Sequence, residues 1–375
     1  MRIGIDASPL KSNQRTGIGR FLHRVLEVWS HMEFSDEIYL ISHEKIILDF
    51  EPPQNWKLVS YQTFSPKGVW YQVLYYYLPK YIHIYKLDVF WGTNFTLPHF
   101  LGKTYGFVSI YDLATYKFPE VALKDTLKKI RKHTASSVKR ASGIITISKS
   151  TAIDIRDIFK VKEDKIFVNY IGGFTVNKKS CHSYEGINPA LILDVPYFLF
   201  IGTIEPRKNL TTVIEAFNIY KSRTASNAKL ILAGKRGWNC GSIYESVEKS
   251  PYAQEIVMPG FISDADKAYL LENAKVFLFP SLYEGFGIPI LEAFEYRIPV
   301  ITSKVSSCPE IGGEAAVYIE DLQDALELAM LMENMMNISE KDLKAMTERM
   351  IVQLSKFSGI NLERQLYSYI TKEEM

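Results

Sequence analysis

Short apolar runs, each the length of one buried strand, alternate with helix-length segments along the chain, and the alternation starts afresh at mid-chain. In the first half the runs are "RIGID", "IYLIS", "LDVFW", "YGFVSI", "GIITI" and "KIFVN". Helical patterns over 18–31, 121–141 and 149–159 lie between several of them. Continuous apolar strands separated by helices predict a parallel sheet covered on both faces. After "NYIGGF" the periodicity fades through "TVNKKSCHSYEGINPA", with Gly186, Pro189 and Pro196 close by, which reads as a linker. The rhythm then resumes: "YFLFIG", a helix over 209–222, "AKLILAG", a helix over 241–248, "EIVMPG", a helix over 264–273, "VFLFP", a helix over 289–296 and "IPVITS". Helices follow from about 321 to 372, where "LQDALELAMLMENMM" spaces its apolar residues at helical intervals. With 375 residues the chain exceeds one typical core, so two doubly wound α/β domains are expected. Ligands of such sheets bind outside the carboxyl ends of the strands.

Composition narrows the partners. Hydrophobic residues make up 47% and charged residues 23%, a globular balance, and the formal charge of +2 gives no global field for nucleic acid. Cys181, Cys240 and Cys308 are an odd set without metal-ligand spacing, which reads as free thiols in a reducing compartment. His23, His31, His43, His83, His99, His133 and His182 show no clustered ligand spacing either, so no metal site is expected. The chain enters an apolar strand at once, with no cleavable leader pattern, and no apolar run is long enough to cross a membrane. The expected location is the cytoplasm.

Two stretches carry the candidate chemistry. In "FIGTIEPRKNL" a buried strand ends at Gly202, and Arg207 and Lys208 stand just before a helix. A planar guanidinium fork beside a compact ammonium suits a diphosphate; a solvated basic loop is the plain alternative. In "SLYEGFGIPILEAFEYRIPV" Glu284 and Glu292 flank the turn Gly285-Phe286-Gly287, behind the strand "VFLFP". Pro289 suits a first helical turn, and Glu292 is expected in that same turn. Amides at such a helix start can face an anion, and Gly285 and Gly287 let backbone approach a ligand closely. A carboxylate accepts two hydroxyl hydrogen bonds, so a ribose diol suits Glu292. A helix-start carboxylate for Glu292 and a loop acid for Glu284 are the alternatives.

These residues resemble a family. "EGFGIPILEA", with Glu284 and Glu292 at its acidic positions, looks like the signature of the retaining GT-B glycosyltransferases of family four. "GTIEPRKNL" is similar to that family's phosphate-binding loop, "RTGIGRFLHRVL" to its glycine loop and "SSCPEIGGEAAVYIE" to the segment after its glutamates. The resemblance implies a GT-B architecture: two Rossmann-like domains facing across a cleft, 1–185 binding acceptor and 190–354 binding donor. A C-terminal helix over 355–375 would pack back on the first. Arg207 and Lys208 would bind the donor diphosphate in place of a metal, and Glu292 the ribose. Glu284, with the amides of Phe286, Gly287 and Ile288 beside Gly285, would hold the transferred sugar and its phosphate. Gly202 and Thr203 would line the donor site, Gly17 and Gly19 would let a loop approach the diphosphate, and backbone near Met258 would contact the base. Where many relatives have a histidine before Asp112, this chain has Tyr111; Asp112 either handles the acceptor hydroxyl or caps the following turn. Relatives usually carry glycine where Arg297 stands, so the helix is expected to end differently here.

"RTGIGRF", "FWGTNFTLP" and "GTIEPRKNL" resemble bacterial O-antigen mannosyltransferases. That implies GDP-mannose as donor and a saccharide or lipid-linked glycan as acceptor, with no cofactor. A dTDP-rhamnose or UDP-sugar enzyme, a GT-B epimerase or phosphorylase, and a non-catalytic nucleotide-sugar binder are the alternatives. "VWYQVLYYYLPKYIHIYK" is rich in aromatics with Trp70, Tyr75, Tyr76 and Tyr77, and "ALKDTLKKIRKHTASSVKR" carries Lys124, Lys128, Lys129, Arg131, Lys132, Lys139 and Arg140. Together they form either a docking surface for the anionic inner face of the plasma membrane or an internal helix beside a solvated basic face.

Overall fold

The computed structural model describes residues 1–11, 17–65, 67–118, 124–175 and 186–372. Met1–Tyr116, Lys124–Gly173 and Gly359–Met375 form one compact unit; Phe174–Ser358, with the short stretch that begins at Lys117, forms the other. The dividing points are therefore Gly173 and Ser358 rather than 185 and 354, and 176–185 of the expected linker lie outside the described residues.

The first unit holds a parallel sheet of β1 (Arg2–Asp6), β2 (Glu37–Ser42), β3 (Trp56–Ser60), β4 (Val89–Gly92), β5 (Tyr105–Ser109), β6 (Gly143–Thr146) and β7 (Ile166–Val168), in the order β3-β2-β1-β4-β5-β6-β7. The second holds β8 (Tyr197–Ile201), β9 (Lys229–Ala233), β10 (Ile256–Gly260), β11 (Val276–Phe279), β12 (Val300–Ser303) and β13 (Val317–Ile319), in the order β10-β9-β8-β11-β12-β13. Each order reverses once, between β1 and β4 and between β8 and β11. At such switch points neighbouring crossovers leave on opposite faces and open a crevice. The apolar runs explain the interior: Phe198, Phe200, Phe277 and Phe279 are fully buried, each worth about 1.5–3 kcal/mol of transfer free energy. Two strands escaped the apolar pattern. β3 is largely exposed and β13 spans three residues, and both lie at an edge of their sheet.

The C-terminal helix Asn361–Thr371 belongs to the first unit. Trp29 donates its indole N–H to the Glu363 carbonyl at 2.8 Å, and the Tyr367 hydroxyl donates to Asp36 at 2.6 Å. Tyr367 also stacks on Phe34.

The aromatic segment is helical from Val69 to Tyr85, with a π-helical turn at Val73–Tyr77. Pro79 lacks the N–H that would meet the Tyr75 carbonyl, which accounts for the widened turn before it. The segment is part exposed and part buried. Trp70 and Tyr76 are 42% and 50% exposed, and Tyr75 is half-buried between Tyr71 and His99. Tyr77 does not face out: at 9% exposure it stacks on Tyr61. Trp70 meets His133 of the basic helix Lys124–Arg140 edge-on, and Lys128, Lys129 and Lys132 are exposed beside it. Among the described residues no helix is long and apolar enough to cross a membrane.

Glycines bring the carboxyl ends of the second sheet close together. Gly234, at φ +150°, lies so near Gly202 that a Cβ there would stand 1.7 Å from the Gly202 carbonyl oxygen. Gly234→Ala is therefore expected to destabilise the second unit by at least ~2 kcal/mol, from a contact that cannot relax and a backbone only glycine adopts readily. Urea denaturation tests this; an unchanged midpoint would mean that the two loops part freely.

Candidate active site

The loops after β8 and β11 flank the switch point of the second sheet. After β8 the chain makes one 3₁₀ turn, Pro206–Lys208, and left-handed Asn209 then opens the helix Leu210–Thr224. After β11 it runs through Glu284 to Gly287, which opens the helix Ile288–Glu295. The Leu282 amide donates to the Arg207 carbonyl at 2.8 Å and ties the loops together. Arg207 and Lys208 then converge on one carboxylate. Arg207 Nη1 donates to Glu284 Oε2 at 3.1 Å and to the Tyr283 carbonyl at 2.6 Å, and Lys208 Nζ donates to Glu284 Oε1. Glu205, which the sequence reading passed over, accepts from Arg207 Nε at 3.1 Å and Nη2 at 2.6 Å. Lys208 also lies over the Phe279 ring. Burial alone would raise the Glu284 pKa, but the charges of Lys208 and Arg207 outweigh it and hold the carboxyl below its ordinary 4.5. The site thus gathers two cations and two carboxylates: Lys208 and Glu284 are buried, and Arg207 and Glu205 half-buried.

The loop carrying Glu284 is held from the segment after β12. The Glu284 amide donates to Ser306 Oγ at 2.8 Å, and Ser307 Oγ donates to the carbonyls of Glu284 and Phe286 at 3.0 and 2.7 Å. The buried Phe286 ring meets Phe357 edge-on. Gly287 takes φ +112°, and Ile288 stands at the first position of its helix, where an amide has no intrahelical acceptor, while the Ile290 amide donates to the Gly287 carbonyl at 3.0 Å. Buried Cys308 is a free thiol whose pKa burial pushes up to about 11.

Several expectations need correction. Glu292 is the fifth residue of its helix, past the first turn, so the helix-start reading fails. Its Oε1 instead accepts from Lys267 Nζ at 2.5 Å, an ion pair with a helix distant in sequence. Met258 lies within β10, where the pairing with β9 shifts register between Val257 and Gly260; Pro259, which has no N–H to give, fits such a break. Gly17 and Gly19 lie inside the first turn of the helix Gly17–Ser30, not in a loop, and Gly17 does not need a left-handed backbone. Part of the stretch before them, 12–16, lies outside the described residues. Asp112 Oδ1 accepts from the Ala114 amide at 2.9 Å, as a turn cap does. The helix before Arg297 does end in the left-handed way: Arg297 has φ +61°, and the amides of Arg297 and Ile298 donate to the carbonyls of Phe294 and Ala293. That is a Schellman end with arginine in the position glycine usually takes, at a cost of about 1 kcal/mol. Gly202 and Thr203 sit at the carboxyl end of β8 as expected, Gly202 half-buried and Thr203 exposed. Gly17, Gly19 and Asp112 belong to the first unit and the remaining site residues to the second.

Comparison with known proteins gives the family and the fold. Residues 188–350 match the family model for glycosyl transferases group 1. O-antigen chain mannosyltransferase B of Escherichia coli is 31% identical over 291 residues, 75% of this chain and 73% of that protein. The chain belongs to the group 1 glycosyltransferases. The serotype-specific mannosyltransferase WbdA of Escherichia coli is 28% identical over 233 residues, and this match spans 60% of the glycosyltransferase described here and 28% of that longer protein. WaaG, a glycosyltransferase involved in lipopolysaccharide biosynthesis, superposes with a TM-score of 0.70 at 15% identity over 99% of this chain and 100% of WaaG. The glycosyltransferase therefore has the GT-B fold.

Lys208→Ala would leave the buried Glu284 with one cation and is expected to destabilise the glycosyltransferase by ~3 kcal/mol near neutral pH. The depressed Glu284 contributes stability above its unfolded pKa and loses it as pH falls through the lower folded value, so the deficit should narrow below about pH 4.5. Urea denaturation across pH tests this; a pH-independent deficit would mean that Lys208 acts by packing alone.

Proposed function

We propose that this glycosyltransferase is a retaining, metal-independent hexosyltransferase that moves mannose from GDP-mannose onto a saccharide or lipid-linked saccharide in cell-surface polysaccharide synthesis. The observation that carries the reading is the convergence of Arg207 and Lys208 on Glu284 at the switch point between β8 and β11. When the bond between the sugar's anomeric carbon and the diphosphate breaks, its electron pair goes to a phosphate oxygen. The acceptor hydroxyl oxygen forms the new bond to that carbon and passes its proton to the departing phosphate oxygen. Negative charge thus develops on the leaving diphosphate, where two preorganised cations stabilise it in the role a divalent ion could otherwise fill. Lys208 has three donors, one of them on Glu284, so it can take a phosphate oxygen without leaving the carboxylate. Glu284, with the amides of Phe286, Gly287 and Ile288, would orient the transferred sugar, Glu292 would hold the ribose, and Asp112 would serve the acceptor hydroxyl. Mannose is favoured by the 31% identical O-antigen relative, and retention by the likeness of the two-glutamate stretch to retaining enzymes.

A donor screen with the purified protein is expected to release GDP from GDP-mannose, with the anomeric configuration kept in the product and activity undiminished in excess EDTA. Arg207→Ala should lower turnover by ~10²–10³-fold, because it removes a group that stabilises the transition state. Release of UDP or dTDP instead would reassign the donor, an inverted product would sink the retaining reading, and full activity of Arg207→Ala would displace the cation from catalysis.

The first unit is proposed to work against the cytoplasmic face of the plasma membrane, through exposed Trp70 and Tyr76 and the neighbouring Lys128, Lys129 and Lys132. Each basic residue contributes about 1 kcal/mol near an anionic surface, screened within a Debye length. The protein should sediment with anionic liposomes at low salt, lose them as salt rises, and ignore neutral ones. Changing the three lysines to Gln should release it without loss of transfer to a soluble acceptor. No sedimentation at low salt would make this an ordinary domain face.

A further inference from the structure

The ion pair between Lys267 and Glu292 has no part in joining the loops at the switch point, and neither residue is deeply buried: their side chains are 20% and 16% exposed. Lys267 is the fourth residue of the helix Asp264–Asn273, whose first turn is firmly anchored. Ser263 and Asp266 close a reciprocal cap there, with Ser263 Oγ accepting from the Asp266 amide at 3.0 Å and the Ser263 amide donating to Asp266 Oδ2 at 3.1 Å. Asp266 Oδ1 takes the Asn188 amide at 2.8 Å. The ammonium is thus presented by a rigid turn. Among the described residues the ammonium has one hydrogen bond, to Glu292, which takes one of its three donors. Glu292 likewise keeps Oε2 beyond the pair.

We infer that Lys267 is a specificity-determining residue: Lys267 and Glu292 together read the 2′-hydroxyl of the donor's ribose. The inference rests on the ribose role proposed for Glu292. A hydroxyl both donates and accepts, whereas a carboxylate alone can satisfy only the donating half. The pair offers both: Glu292 accepts the hydroxyl proton, and Lys267 donates to the hydroxyl oxygen. A 2′-deoxyribose leaves both half-buried charges short of a partner they had with ribose. A polar site built for a hydroxyl discriminates strongly against the analogue that lacks it. The pair would therefore favour ribonucleotide donors over deoxyribonucleotide ones, which bears directly on the choice between GDP-mannose and a dTDP-sugar.

The test compares the affinities of GDP and 2′-deoxy-GDP, and of UDP and 2′-deoxy-UDP, by calorimetry on the full chain. The intact protein should prefer the ribo form of whichever base binds more tightly by at least roughly tenfold, as expected for a hydrogen bond to a charged group. Lys267→Met should cut that preference several-fold, Lys267→Arg should keep most of it, and Glu292→Gln should abolish it. Lys267→Gln serves as a second neutral variant should Lys267→Met fold poorly by circular dichroism. If Glu292→Gln abolishes the preference while Lys267→Met and Lys267→Gln leave it whole, Lys267 is an ordinary ion-pair partner; the inference falls and the ribose role of Glu292 stands. If the intact protein shows no preference, both fall together.

Discussion

The second unit is organised around a buried carboxylate that its neighbours hold in the charged form. Glu284 is buried, and desolvation alone would raise its pKa. It stays charged because Arg207 and Lys208 arrive from the loop after the neighbouring strand. That arrival depends on strand order: β8 and β11 are adjacent, so residues some 76 positions apart meet at one end of the sheet. Each partner makes the other tolerable, since an unpaired buried cation would be as unfavourable as an unpaired carboxylate.

Everything near this cluster serves to hold it still. Glu205 fixes the Arg207 fork from behind, and Ser306 and Ser307 fix the backbone on which Glu284 rides. Gly234 lets the loop after β9 approach the Gly202 carbonyl closer than any side chain would allow. Such prepaid order suits a site that must stabilise charge on a leaving diphosphate without reorganising at the moment of reaction. The second ion pair, Lys267 with Glu292, is built the same way on two helix turns, one closed by a reciprocal cap and the other opened by Gly287.

Much of this was legible in the chain. The buried strands announced themselves because both of their faces are covered, which forces continuous apolar runs such as "VFLF". β3 and β13 did not, because an edge strand need not be apolar throughout. Glu292 was placed one residue too early in its helix because Pro289 signals a helix start only approximately; the helix begins at Ile288. Arg297 was expected to alter the helix end because local preference disfavours a left-handed arginine; the hydrogen bonds from Arg297 and Ile298 outweighed that preference. Tyr77 looked like its aromatic neighbours in the sequence, but the π-helical turn points it at Tyr61.

By itself the sequence determined the two α/β units, the positions of the loops that matter and the kinds of residue they carry, since apolar periodicity, glycines and prolines act through local sterics and burial. Which side chains hold one another was decided only in three dimensions. Nothing in the order of residues tells Glu205 to brace Arg207, Lys267 to pair with Glu292, or Trp29 and Asp36 to receive the helix Asn361–Thr371. Those partnerships join distant elements or depend on how a loop turns, and their energy comes from desolvated contacts that exist only after the sheets and helices have packed.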